Sequence, residues 1–177
     1  MNPEPSSFGT LFDNKLEPEV YSFGMLRMLI EAARHEGITD YPIHIKIDTG
    51  MHRLGFDPIK DMPALIERLK NQTALVPRSV FSHFVGSDSD GFDQFSAEQY
   101  RRFLYGADVL QGAFPHHILR HMCNSAGIEH FPERQMDMVR LGLGLYGINA
   151  RNNALPSNVS TLQTTILQIH DVPASPT

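Results

Sequence analysis

The stretch Ile43-His44-Ile45-Lys46-Ile47-Asp48-Thr49-Gly50-Met51-His52-Arg53-Leu54-Gly55 decides the fold. Its isoleucines at 43, 45 and 47 alternate with polar residues, which is the period of a strand with one buried face. Lys46 therefore points away from the isoleucines, into solvent or into a barrel centre, and in the second case it needs a charge partner. Arg53 follows in a glycine-bounded loop, where a fixed guanidinium grips an anion or simply stands in solvent.

Working outward, the same rhythm repeats. Upstream, Val20-Tyr21 reads as a short strand. Ser22 is an N-cap for a helix carrying Leu26, Leu29, Ile30 and Ala33 at helical spacing, closed by Gly37. Downstream, Pro63 to Lys70 reads as a helix, and Ser79 to Phe84 as a strand. Ser96-Ala97-Glu98-Gln99 has the form of a capping box opening a helix with Phe103, Ala107 and Leu110. Ile118 to Cys123 and the glycine-punctuated Met138 to Tyr146 read as two more strands. Strands alternating with helices predict an α/β fold with a parallel sheet. About five such units fall short of the eight in a closed (β/α)₈ ring, so the pattern fits a small open sheet or a piece of a larger protein. The stretch from Leu162 to Val172 partly alternates and reads as a strand of another sheet.

The chain has 177 residues, 41% hydrophobic and 20% charged, with a formal net charge of -5. That is enough to bury a core, and no basic footprint points to nucleic acid. Cys123 is the single cysteine, which excludes an internal disulfide and fits a cytoplasmic setting. No apolar run is long enough to span a bilayer, and the first residues carry no secretory pattern, so neither membrane nor export is expected.

Polar residues gather where the strands are predicted to end, and the chemistry of parallel α/β folds collects there. His83 lies between Ser82 and Phe84, as a core histidine or a catalytic one. Cys123 reads as a buried thiol. His116, His117 and His121 do not share a helix face, so a metal centre is not expected. Arg140 lies in an apolar run, which is costly unless it is paired with Asp137, with a distant carboxylate or with a bound anion. Gly142 and Gly144 either bend the chain or admit a ligand to the backbone. Ser125 is placed to cap a helix or to hold phosphate.

Taken in order, these blocks resemble those of the alanine racemases. Lys46-Ile47-Asp48-Thr49-Gly50-Met51-His52-Arg53-Leu54-Gly55 is similar to the family's KxDTGMxRxG motif. Ser82-His83-Phe84, Cys123-Asn124-Ser125-Ala126 and Met138-Val139-Arg140-Leu141-Gly142 through Tyr146-Gly147 follow it. Leu16-Glu17-Pro18-Glu19-Val20-Tyr21-Ser22 resembles bacterial racemases fused to a cell-wall peptide ligase.

The resemblance implies a partial TIM-type (β/α)₈ barrel over 1–155, about strands four to eight. Residues 156–177 would form a linker and the first strand of a following β domain. It implies the cofactor pyridoxal 5'-phosphate (PLP), alanine as substrate, a homodimer, and D-alanine supply for peptidoglycan. Carried over by residue, Arg140 faces the pyridine nitrogen and keeps it unprotonated, while His83 joins its hydrogen-bond network. Ser125, with the backbone of Gly142 and Leu143, holds the phosphate beside Asn124. Arg53 contacts the phenolic oxygen and positions the substrate carboxylate. Lys46 resembles the lysine that is carbamylated in many members and holds Arg53.

The family's Schiff-base lysine, in a motif like VKADAYGHG, has no match in these 177 residues, nor has its second base, a tyrosine of the β domain. The isolated chain is therefore expected to be inactive. The alternatives are another PLP amino-acid racemase, acting on serine or basic amino acids, or a non-catalytic truncated PLP-binding fragment.

Overall fold

The alternation of the isoleucines becomes a strand in the computed structural model, which describes residues 4–152 together with 154, 161 and 163. Helix α1 spans Phe8–Asp13, strand β1 Glu19–Val20, helix α2 Phe23–His35 and strand β2 Tyr41–Lys46. Helix α3 spans Met62–Lys70, β3 Leu75–Phe81, α4 Asp93–Gly112, β4 Leu119–His121 and α5 Ser125–His130. The four strands lie in the order β1-β2-β3-β4, each parallel to the next, with a helix between each consecutive pair.

Ile43, Ile45 and Ile47 are each at most 1% exposed and face the helices, where they join Met25, Leu26 and Leu29 of α2, Leu65 of α3 and Phe103 and Leu110 of α4. Each such side chain taken from water contributes about 2 kcal/mol. The opposite face of the sheet is polar. His44, Lys46, Ser79 and His121 project there, Ser79 fully buried and Lys46 8% exposed.

The Ser22 hydroxyl caps α2 by accepting from the Met25 amide at 3.2 Å. Gly37, at φ 67°, ends the helix as Ile38 N–H closes back to the Ala33 carbonyl. The loop after β2 is drawn shut by a parallel bridge between Ile47 and Phe56. Asp48 Oδ1 accepts from the amides of Gly50 and His52, turning the chain. Gly55 is indispensable to that closure. Its φ is 135°, and a Cβ there would lie 2.5 Å from the Asp48 amide nitrogen.

Strand β3 is not regular. Ile43 pairs with Pro77 but His44 pairs with Ser79, so Arg78 is an extra residue that bulges.

Three expectations need correction. The Ser96–Gln99 capping box caps nothing. Helix α4 already begins at Asp93, and Ser96 and Gln99 are buried within it. Gln99 is spent elsewhere, bonding to Thr49 Oγ1, the His83 carbonyl and the Val85 amide. Met138 to Tyr146 is not a strand but a bend followed by a short 3₁₀ turn, Leu143–Tyr146, because the amides of Gly142 and Gly144 turn in to the Ser125 hydroxyl. His83 and Cys123 lie just past their strands rather than in them. The described residues thus hold four strands, not five. The strand expected at Leu162 to Val172, and almost all of 156–177, falls outside the described residues.

Candidate active site

The site is built at the carboxyl ends of β2, β3 and β4 and on the chain that returns past them. Ser82 and His83 leave the end of β3. Thr49, leaving β2, bonds to the Ser82 hydroxyl at 2.8 Å, and Gln99 reaches from α4 to hold both Thr49 and the His83 carbonyl. All three side chains other than His83 are at most 2% exposed, so the His83 backbone is fixed from two sides.

Arg140 enters against these strand ends. Its Nη2 donates to the Ser82 carbonyl at 2.6 Å and to the Met122 carbonyl at 3.3 Å. Nη1 donates to His121 Nδ1 at 2.6 Å, and His83 Nδ1 lies 3.4 Å from Nη2. The guanidinium lies over the Phe81 ring, 5.1 Å from its centre, and the same ring stacks on His121 at 4.9 Å with an interplanar angle of 2°. Among the described residues Arg140 makes no ion pair, and Asp137, one candidate partner, instead binds His117 and the Arg120 amide. A half-buried cation held by carbonyls and imidazoles keeps its charge available to a ligand.

The electrostatics follow from that charge. Burial and Arg140, aided by Arg53 and Lys46, hold His83 down to about 4. Burial and Arg140 hold His121 down to about 3. Both imidazoles are neutral near pH 7, and each accepts from the guanidinium rather than repelling it. Burial also lowers Arg140 itself, to about 10, which leaves it protonated.

Beside Arg140 opens a cavity of 430 Å³, lined by His83, Asn124, Ser125, Arg140, Gly142 and Leu143 among others. Asn124 caps α5, accepting from the Gly127 amide at 2.9 Å, which settles the alternative for Ser125: it is the first helical residue, not the cap. The Ser125 hydroxyl oxygen accepts from the amides of Gly142 at 2.9 Å and Gly144 at 3.2 Å. With both amides directed to its oxygen, its own proton remains free to donate.

Lys46 and Arg53 line a second recess, of 420 Å³, on the other side of Arg140 and His83. Lys46 Nζ lies 3.3 Å from Glu19 Oε2, so the lysine lies on the polar face of the sheet with a carboxylate as its charge partner. Arg53 is exposed on its loop. Six expected residues, His83, Asn124, Ser125, Arg140, Gly142 and Leu143, thus share one cavity, and Arg53 and Lys46 stand at its neighbour.

His121 was not among the expected site residues, although it makes the shortest contact to Arg140 together with the Ser82 carbonyl. Its signal was parity. Met122 faces the core at 0% exposure, so its neighbour His121 faces the other way, toward Ser79 and Arg140. The three histidines at 116, 117 and 121 bind the Pro77 carbonyl, Asp137 and Ser79 respectively and do not converge on a metal. Burial pushes the Cys123 thiol up to about 11, so it is inert.

Parallel strands alternating with helices, and polar groups converging at their carboxyl ends, define a parallel α/β protein with its site at the strand ends. The family model for the alanine racemase N-terminal domain matches residues 1–150. The chain is 33% identical over 175 residues to an alanine racemase of Syntrophobacter fumaroxidans, covering 97% of this chain and 46% of that one. It is 34% identical over 129 residues to alanine racemase 1 of Oceanobacillus iheyensis, covering 73% of this chain and 34% of that one. The structure of an alanine racemase from Clostridium difficile 630 superposes with a TM-score of 0.74 at 29% identity, over 82% of this chain and 37% of that one. The chain belongs to the alanine racemase family, and its fold is of the TIM-barrel type. It spans less than half the length of these relatives.

Proposed function

We propose that these residues form the cofactor cradle of a PLP-dependent alanine racemase, corresponding to the C-terminal part of its barrel. The observation that carries the reading is Arg140, a half-buried guanidinium with no ion-pair partner among the described residues, set between His83 and the Ser125–Gly142 turn. The residues fit the group. The cavity is the size of a small-molecule site, and a cation, the Ser125 hydroxyl and the Gly142–Leu143 turn line it. Ser125, Gly142 and Leu143 would hold the phosphate, Asn124 would shape its edge, and Arg140 would face the ring nitrogen. When bound, PLP supplies an electron sink for the substrate α-carbon.

The chain's own residues then do the following. Arg140 stays protonated, so it would leave a facing ring nitrogen without a proton, which would favour racemisation over transamination. His83 stays neutral and accepts from Arg140. Arg53, at the mouth, would position the carboxylate of alanine. Lys46, whose Nζ lies 3.3 Å from Glu19 Oε2, would hold Arg53 as a carbamate only once that ion pair opens. A homodimer, a cytoplasmic setting and the supply of D-alanine for peptidoglycan follow from the same family reading.

The experiment is a PLP absorbance titration of the 177-residue chain followed by a coupled D-alanine assay. The expected result is binding without turnover, since the chain offers no match to the family's lysine motif. Turnover abolished by a substitution within this chain would overturn it. Turnover of serine or a basic amino acid by the whole racemase, in preference to alanine, would favour the alternative substrates.

A further inference from the structure

The polar face of the sheet carries a chain of contacts that runs from Arg140 across the strands to the surface. Arg140 Nη1 lies 2.6 Å from His121 Nδ1, and His121 Nε2 lies 3.1 Å from Ser79 Oγ. Ser79 Oγ lies 2.6 Å from His44 Nδ1, and His44 Nε2 lies 2.9 Å from Glu17 Oε2. We propose that Glu17, His44 and Ser79 are positioning residues for Arg140, linked to it through His121 by hydrogen bonds that all run in one direction.

The direction is fixed from both ends. A guanidinium has no acceptor, so His121 Nδ1 must accept. A neutral imidazole carries one proton, so that proton sits on Nε2 and is donated to the Ser79 oxygen. The Ser79 proton then has one imidazole nitrogen before it, His44 Nδ1. His44 is left with its proton on Nε2, donated to the Glu17 carboxylate, which only accepts. No second arrangement satisfies every atom. If His121 carried its proton on Nδ1, two donors would face each other at 2.6 Å.

The surroundings hold this order in place. Ser79 is 0% and His121 4% exposed, so water does not compete for the middle links. The Phe81 ring lies flat against His121 and fixes its plane. Arg78, the bulged residue, holds Glu17 with Nε at 3.4 Å from Oε2. Each bond in such a chain polarises the next, so the carboxylate at one end strengthens His121 as acceptor for Arg140 at the other. The distal residues touch neither the proposed cofactor cavity nor each other's strand neighbours by chance. His44 and Ser79 are register partners on β2 and β3, and Ser79 is the register partner of Leu119 on β4.

The consequence for turnover rests on the proposed role of Arg140, whereas the proton order does not. The first arm therefore uses this chain without cofactor. With ¹⁵N-labelled histidine and arginine at about pH 8, long-range proton–nitrogen spectra should show His121 and His44 each protonated on Nε2, with slowly exchanging protons. Ser79→Ala should remove the protected His121 proton and shift the Arg140 guanidinium signals, and Ser79→Thr should restore both. His44→Gln reports the same link should Ser79→Ala not fold. An Nδ1-protonated His121, or His121 and Arg140 signals unmoved by both variants, overturns the proposal.

The second arm uses the whole racemase. Ser79→Ala should lower kcat about fivefold with little change in KM, and Ser79→Thr should recover most of it. A kcat that holds while the nuclear signals move overturns the positioning role. A whole racemase that binds no PLP before any substitution fails the cofactor reading instead, and leaves the proton order standing.

Discussion

Acid should destabilise this chain well above the carboxylate range, and the cause lies beside Arg140. His83 is held down to about 4 and His121 to about 3, in both cases by burial first and the guanidinium second. An unfolded histidine titrates near 6.5. Between about 6.5 and 4 the unfolded chain takes up protons that the folded chain refuses, so stability falls as pH falls and is fully present only above about 6.5. At 1.36 kcal/mol per unit, a drop to about pH 5 removes about 2 kcal/mol for each histidine and about 4 for the pair. His44, lowered by burial, acts in the same sense. Against a typical domain stability of about 5–15 kcal/mol this is a large share. Urea unfolding followed by circular dichroism at about pH 7.5 and about pH 5 measures it directly. His121→Asn should lower stability at both values and remove close to half of the difference between them. A wild-type stability that is flat or higher at the lower pH would refute the reasoning, since it would mean that the buried imidazoles accept protons next to Arg140.

Three further outcomes are expected. Gly55→Ala should cost about 3 kcal/mol or more, seen as a fall in Tm, because a Cβ at φ 135° meets the Asp48 amide nitrogen at 2.5 Å. In ¹³C spectra with labelled bicarbonate, the wild-type chain should give no Lys46 carbamate, whereas Glu19→Gln should, since it removes the anion 3.3 Å from Nζ. In the whole racemase, Arg140→Glu should depress racemisation while transamination products rise, read by product analysis, because an opposite charge then faces the ring nitrogen.

What could be read from residue order depended on how local its cause was. The strand at 43–47 and the helix after Ser22 announce themselves, because alternation and a capping hydroxyl act within a few residues. The four blocks that resemble the alanine racemases named most of the residues now found around one cavity. The failures have distant causes. Ser96 and Gln99 have the spacing of a cap, yet Gln99 answers to Thr49, fifty positions away, and the helix starts a turn earlier. Met138 to Tyr146 has the apolar content of a strand, yet Ser125 gathers two of its amides and turns it. His121 belongs to the site through Ser79 and Arg140, neither of them near it in the chain. Alternation leaves Lys46 facing either solvent or a barrel centre, with a charge partner needed only in the second case, and only the fold brings Glu19 to it.

The bulge at Arg78 makes β3 a ruler. Pro77 is anchored opposite Ile43 in the core, and Ser82 presents its carbonyl to Arg140 five residues on. One residue of strand is about 3.3 Å. Removing Arg78 would restore even pairing and leave Ser79 opposite His44, whereas removing a residue between Ser79 and Ser82 would draw the Ser82 carbonyl back by about one such step, beyond the reach of the guanidinium. The segment is thus more tolerant of a changed side chain than of a changed count, and the lengths on either side of the irregularity, more than the identities within it, carry the calibration of the site.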